Sequence, residues 1–217
     1  MQIIVTGGAG FLGSRVIRAL LAGAGKKEGL PAFDRIVSVD LAPCPVDDAR
    51  VSSVTGDIAD PGFVRGLVTA ETAGIYHLAA VLSGQSEQDF DLSMRVNVDG
   101  TRALLEAARA TGKAPRFVFA SSLAVFGGEM PAVVPEVMAT MPASSYGAQK
   151  AIGEILVNDY SRKGFVDGRV CRLPTIVVRP GKPNSAASSF ASGIIREPLA
   201  GIASNCPVPL ETRMWLS

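Results

Sequence analysis

Histidine is nearly absent from this chain: His77 is the only one in 217 residues. Any metal centre built on two or more imidazoles is therefore excluded, HExxH helices included. The three cysteines, Cys44, Cys171 and Cys206, are too few for a disulfide framework, and none stands in a CxxC pair. No metal site is expected, and free thiols suit a reducing compartment such as the cytoplasm. An excess of one charge is missing too. Lys and Arg number 21 against 20 Asp and Glu, a net charge of +1. No basic surplus exists to neutralise nucleic-acid phosphates, so no nucleic-acid partner is expected. No apolar run approaches the ~18 residues of a membrane-spanning helix. The opening MQIIVTGG lacks the basic start and apolar stretch of a signal peptide. Disorder is excluded as well, because 47% of residues are hydrophobic and only 19% charged.

Short β-branched runs alternate with longer helical patterns. Strands are expected over 2–6, 36–40, 51–54, 75–80, 116–120 and 168–173, and helices over 11–22, 61–70, 89–111 and 144–163. Such alternation predicts βαβ units and a doubly wound α/β domain on a parallel sheet, spanning 1–173. Beyond Leu173 the composition changes. Prolines crowd 174–217, and one helix is expected there, over 186–196. This segment reads as the start of a second, substrate-binding lobe that the chain leaves incomplete.

Four motifs carry chemistry. Glycines at 7, 10 and 13 follow the first strand and open the first helix, in TGGAGFLG. Glycine permits a tight turn and a close backbone approach to a pyrophosphate, while the helix N-terminus offers free N–H groups and partial positive charge. Asp40 ends the second strand, where a carboxylate accepts from a ribose 2′-hydroxyl and repels a 2′-phosphate, favouring NAD over NADP. It stands 27 residues after Gly13, against the usual ~20. The polar stretch 23–34 accounts for the difference as a long helix-to-strand loop. Tyr146 and Lys150 stand four apart, which places them on one helix face. An ammonium beside the phenol favours tyrosinate and so a general base; alone, the spacing equally describes a surface pair. Ser121 and Ser122 close the fifth strand, and carboxyl ends of parallel strands are where such sheets bind ligands.

In this order the motifs resemble the short-chain dehydrogenase/reductase superfamily, in its extended branch of NAD-dependent epimerases and dehydratases, across essentially the whole chain. The resemblance implies a Rossmann fold with NAD held by Gly7, Gly10, Phe11, Leu12 and Gly13, and by Asp40. Asp57 and Ile58 of the GDI triplet are implied at the adenine, and Ala79 and Ala80 of HLAA beside the ribose, with His77 structural. Asn97 in NVDGT matches the asparagine of the next helix. Pro174, Thr175 and Ile176 of RLPTI are implied at the nicotinamide amide. Ser122, Tyr146 and Lys150 take the catalytic positions, the last two also meeting the cofactor. Helices 89–111 and 144–163 correspond to the pair that forms homodimers in this family.

Dehydratases of the branch carry an acidic pair just after the serine, because expelling water needs a further acid and base. Here Leu123 and Ala124 stand there, so dehydration is rejected. A narrower similarity, in AVLSG, RLPTI, RPGKPN and REPLAG, is to a dehydrogenase of the branch that oxidises the 2-hydroxyl of a four-carbon sugar acid. It implies a small sugar-acid substrate met by Ser83 and Ser122 and by Arg179, Lys182 and Asn184. A nucleotide-sugar epimerase and a catalytically silent NAD sensor are the alternatives.

Overall fold

A computed structural model describes residues 1–25, 30–177 and 186–217. Six parallel strands form one sheet in the order β3-β2-β1-β4-β5-β6. They are β1 (Gln2–Thr6), β2 (Arg35–Asp40), β3 (Val51–Thr55), β4 (Thr72–His77), β5 (Arg116–Ser122) and β6 (Asp167–Leu173). The sheet is doubly wound as expected. The chain order reverses between β1 and β4, and a ligand crevice belongs at that switch point. All five residues of β1 are buried, because helices cover both faces. Ile3 and Val5 point to one side with Ile17, Leu20 and Ile36. Ile4 points to the other, with Val37, Ile75, Phe117, Phe119, Leu104, Leu105 and Val157.

The helices are α1 (Phe11–Gly23), α2 (Pro61–Leu67), α3 (Ser83–Gln88), α4 (Phe90–Met94), α5 (Thr101–Ala110), α6 (Ser145–Arg162) and α7 (Phe190–Leu199). Three expectations are corrected here. The fourth strand ends at His77, not Ala80. Its ladder with β1 stops where His77 meets Thr6, and 78–80 then turn away along the ligand crevice. The helix expected over 89–111 is present from Phe90 to Ala110, but it is not α-helical throughout. A π-helical turn, Arg95–Gly100, joins α4 to α5, and such turns recur at functional sites. α3 was not anticipated, since its sequence SGQSEQ has no apolar stripe.

His77 is buried at the end of β4 with both ring nitrogens satisfied. Thr6 Oγ1 lies 2.7 Å from Nδ1, and Thr101 Oγ1 lies 2.9 Å from Nε2. The Thr101 hydroxyl donates to the Asn97 carbonyl at 2.6 Å, so it accepts from Nε2–H. Thr6 in turn accepts from the Ala79 amide at 3.3 Å and donates to Nδ1. This chain of bonds holds the neutral ring and ties α5, β1 and the exit of β4 together. Burial, helped by the Lys150 charge, pushes the imidazole down to about 3.

Packing of α6 on β5 is equally tight. A Cβ on Gly153 would lie 2.5 Å from the Phe119 ring, which is fully buried and has no room to retreat. Two predictions follow from these contacts. Gly153→Ala gains about 1 kcal/mol of helix propensity but forces the ring aside, at a cost of about 1–3 kcal/mol. The urea midpoint is therefore expected to fall, and a rise shows that α6 has slack. His77 concerns acid. Between pH 6.5 and about 3 the unfolded chain holds a proton at His77 that the folded chain refuses. Stability is full above this window and drains as pH falls. From pH 6.5 to 5, before most carboxylates titrate, about 2 kcal/mol is lost. His77→Gln removes that slope, and an equal slope in the variant disproves the assignment.

Candidate active site

A cavity of about 1090 Å³ runs along the carboxyl ends of the strands, over the switch point. That volume exceeds the range of an ordinary small-molecule pocket and suits an extended ligand. One end is the glycine turn between β1 and α1. Gly7 takes the left-handed backbone there, with φ of 72°, and a side chain on it would meet the Ala79 amide at 2.8 Å. Gly13 lets α1 lie against the turn, since its Cβ would stand 2.0 Å from the Gly7 oxygen. Gly10 differs. Its backbone is ordinary, with φ of −70°, and an added Cβ would touch only the Gly7 oxygen, at 3.2 Å. The space it leaves open is cavity. α1 begins there with no side-chain cap and no acidic residue in its first turn. Its free N–H groups and partial positive charge stay available for a pyrophosphate.

Asp40 stands beside this turn at the end of β2. One carboxylate oxygen accepts from the Ala9 amide at 3.0 Å and the other from the Leu41 amide at 2.7 Å. These bonds aim the carboxylate into the cavity. Asp57 and Ile58 line the same end. Asp57 accepts from the Ala59 amide at 2.9 Å and faces Arg95 at 3.6 Å. Phe11, Leu12, Ala79, Ala80, Ser83, Pro174, Thr175 and Ile176 also form the wall. These groups and the open cradle at Gly10 fit an adenine dinucleotide.

Asn97 does not line the cavity. It lies behind the wall, accepting from the Val81 amide at 2.8 Å and donating to the Val81 carbonyl at 3.1 Å and to Gln149 at 2.7 Å. Its placement is corrected from a cofactor contact to a clamp on the β4 exit, made possible by the π-turn. Arg179, Lys182 and Asn184 lie outside the described residues.

The other end holds the reactive cluster. Ser122 ends β5, and its hydroxyl accepts from the Ala124 amide at 3.1 Å. The Ser122 hydroxyl and the Tyr146 phenol share the same wall of the cavity. Lys150, one turn further along α6, is only 3% exposed. Its ammonium donates to the Ala120 carbonyl at 2.8 Å and stands 4.7 Å from the Phe119 ring centre. It lies 5.7 Å from the centre of the Tyr146 ring. Burial lowers the lysine to about 8. Burial also raises the phenol, and the Ser122 hydroxyl offsets only part of that rise. The expectation joins the Lys150 ammonium to the charge of an oxidised nicotinamide, and the chain's own groups leave the phenol above its usual value. In the ligand-free chain the ammonium is spent on a carbonyl and a ring face, so the phenol stays protonated at neutral pH. Further positive charge must enter the cavity to make it a base.

Sequence reasoning missed Arg95, Glu87 and Ser188, which share the lining. It also missed Glu154, which bonds Ser121 behind the site. Only Glu154 had a signal, because it extends the Tyr146–Lys150 spacing by another four residues.

Comparison with known proteins agrees with this geometry. The chain is 59% identical, over its whole length, to D-erythronate dehydrogenase of Cupriavidus necator, and spans 68% of that protein. It is 48% identical to D-erythronate dehydrogenase of Haemophilus influenzae, again over its whole length and 68% of the relative. A crystal structure of a nucleoside-diphosphate-sugar epimerase from Agrobacterium tumefaciens superimposes with a TM-score of 0.89 at 44% identity, covering all of this chain and 65% of that one. Residues 3–211 match the NAD dependent epimerase/dehydratase family. The glycine cradle, the carboxylate of Asp40 and the Ser122–Tyr146–Lys150 cluster thus belong to a member of the NAD dependent epimerase/dehydratase family, and its cofactor is NAD.

Proposed function

We propose that the protein oxidises the 2-hydroxyl of a small sugar acid, D-erythronate foremost. The observation that carries this is the Ser122–Tyr146–Lys150 cluster at the end of the dinucleotide cavity, in a chain so similar to D-erythronate dehydrogenases. Asp40 and Asp57 would hold the adenine half of NAD, which when oxidised would supply a hydride acceptor and a positive charge. Tyr146, as the phenolate, takes the proton from the substrate hydroxyl as the adjacent carbon gives up its hydride. Ser122, which shares the cavity wall with Tyr146, donates to the same substrate oxygen and steadies the charge that develops on it. Lys150 adds its field and holds the nicotinamide ribose. Ser83 lies on the wall near this corner and binds the acid, together with Arg179, Lys182 and Asn184. Residues 174–217 begin the lobe that closes over it. Two copies pair through α5 and α6, where Ile155 is 65% exposed. Free Cys44, Cys171 and Cys206 suit a cytoplasmic setting.

The name of the Agrobacterium structure favours a second reading, nucleotide-sugar epimerisation. The two readings differ in their product. A dehydrogenase accumulates NADH with D-erythronate, whereas an epimerase returns its hydride and accumulates none. Absorbance at the NADH band, with D-erythronate and a sugar nucleotide offered separately, decides between them.

Tyr146→Phe removes the base and is expected to slow turnover about 10²–10⁴-fold while NAD⁺ affinity stays nearly unchanged. Near wild-type turnover in that variant removes Tyr146 from the chemistry. Lys150→Met is expected to behave differently in two measurements. Turnover and NAD⁺ affinity both fall, because the lysine serves both. Stability at pH 7 rises by up to about 3 kcal/mol, because a buried charge is replaced by an apolar chain. The sign is opposite to that of a lysine whose charge is stabilised by folding. Between about 8 and 10.5 the unfolded wild type holds a proton that the folded one has lost, so wild-type stability climbs with pH and the gap to the variant closes. Urea midpoints at pH 7 and 10 test this, and a gap independent of pH refutes it.

A further inference from the structure

Glu154 occupies the next position on the face of α6 that carries Tyr146 and Lys150. It is 4% exposed and does not line the cavity. Its carboxylate accepts from the Ser121 hydroxyl at 2.5 Å. It also takes a fork from Arg172, with Nε at 3.0 Å from one oxygen and Nη2 at 2.7 Å from the other. Ser121 and Arg172 are direct partners across β5 and β6, one residue before the Ser122–Leu173 pair. The guanidinium lies 4.9 Å from the Phe126 ring centre, and Phe126 closes the turn that follows Ser122. One buried carboxylate thus grips the residue before Ser122 and the residue before 173–176, the cavity wall of the β6 exit. Through Arg172 it also reaches the turn after Ser122.

We propose that Glu154, acting through Arg172 and Ser121, is a positioning residue: it sets the nicotinamide end of the cavity by fixing both strand ends against the helix that bears Tyr146 and Lys150. The proposal rests on the placement of the nicotinamide beside Tyr146 given above. Chemistry of this kind is sensitive to small displacements, since a shift of about 1 Å costs on the order of 10²-fold in rate. A fork–fork pair anchored on a buried carboxylate restrains distance and orientation together, which a single hydrogen bond does not. The adenine end, at the glycine turn, Asp40 and Asp57, shares no contact with this pair, so the effect is confined to one half of the cavity.

That confinement supplies a test that needs no sugar acid. ADP probes the adenine half and NAD⁺ the whole cavity. In Glu154→Gln and in Arg172→Gln, ADP affinity is expected to stay within about twofold of wild type, while NAD⁺ binds about tenfold more weakly. The double variant is expected to be no worse than the weaker single one, because both remove the same linkage. With D-erythronate, kcat is expected to fall at least about tenfold. If Glu154→Gln does not fold, Arg172→Gln decides, since its side chain is 31% exposed and at the sheet edge. Parallel weakening of ADP and NAD⁺ means general loosening and overturns the proposal, as does unchanged NAD⁺ affinity in a folded variant. A wild type that binds NAD⁺ but leaves D-erythronate untouched counts against the substrate reading alone, and the ADP–NAD⁺ comparison still judges Glu154.

Discussion

The backbone of α6 runs so near the end of β5 that a side chain on Gly147 would stand 2.1 Å from the Ala124 carbonyl oxygen. Only with this approach does an ammonium on α6 reach the Ala120 carbonyl, at 2.8 Å, and a phenol one turn earlier share the cavity wall with Ser122. The closeness also strips water from both groups, lowering the lysine to about 8 and raising the phenol. Burial therefore opposes ionisation of base and partner alike. The same packing that assembles the cluster thus holds both groups toward their neutral forms.

A second set of contacts fixes the β4 exit from behind. His77 bridges Thr6 and Thr101, and Asn97 grips both backbone groups of Val81. Gln149 joins this network to α6 by accepting from Asn97 and donating to Ser93 at 2.7 Å. Each buried polar group finds a partner, which is the condition under which such networks stiffen a site rather than weaken it. The wall at Ala79 and Ala80 is thus held by hydrogen bonds, because alanine side chains offer little to grip. Small side chains there leave room for a ribose.

Much of this was legible in the sequence, for a physical reason. The glycine turn, Asp40 and the Tyr146–Lys150 pair are local signals, whose geometry follows from strand and helix periods. The parallel, doubly wound sheet followed from the alternation of elements. Failures occurred where a residue's role depends on what lies across space. Asn97 was assigned to the cofactor because spacing says nothing about which side of a wall an amide faces. Four-residue spacing sets the proximity of Tyr146 and Lys150 but not which acceptor the ammonium chooses. Glu154 gained meaning only from the register that puts Arg172 opposite Ser121. The end of β4 was overrun because HLAA is apolar beyond the point where its ladder with β1 stops.

The bare start of α1 carries a thermodynamic consequence. A helix of 13 residues whose N-cap is Gly10 forgoes only roughly a few tenths of a kcal/mol that a Ser or Asp at that position supplies. The ligand-free protein bears this deficit, and a bound pyrophosphate removes it by satisfying the same N–H groups. A dinucleotide that binds the folded chain and not the unfolded one stabilises the fold by an amount set by its concentration relative to its dissociation constant.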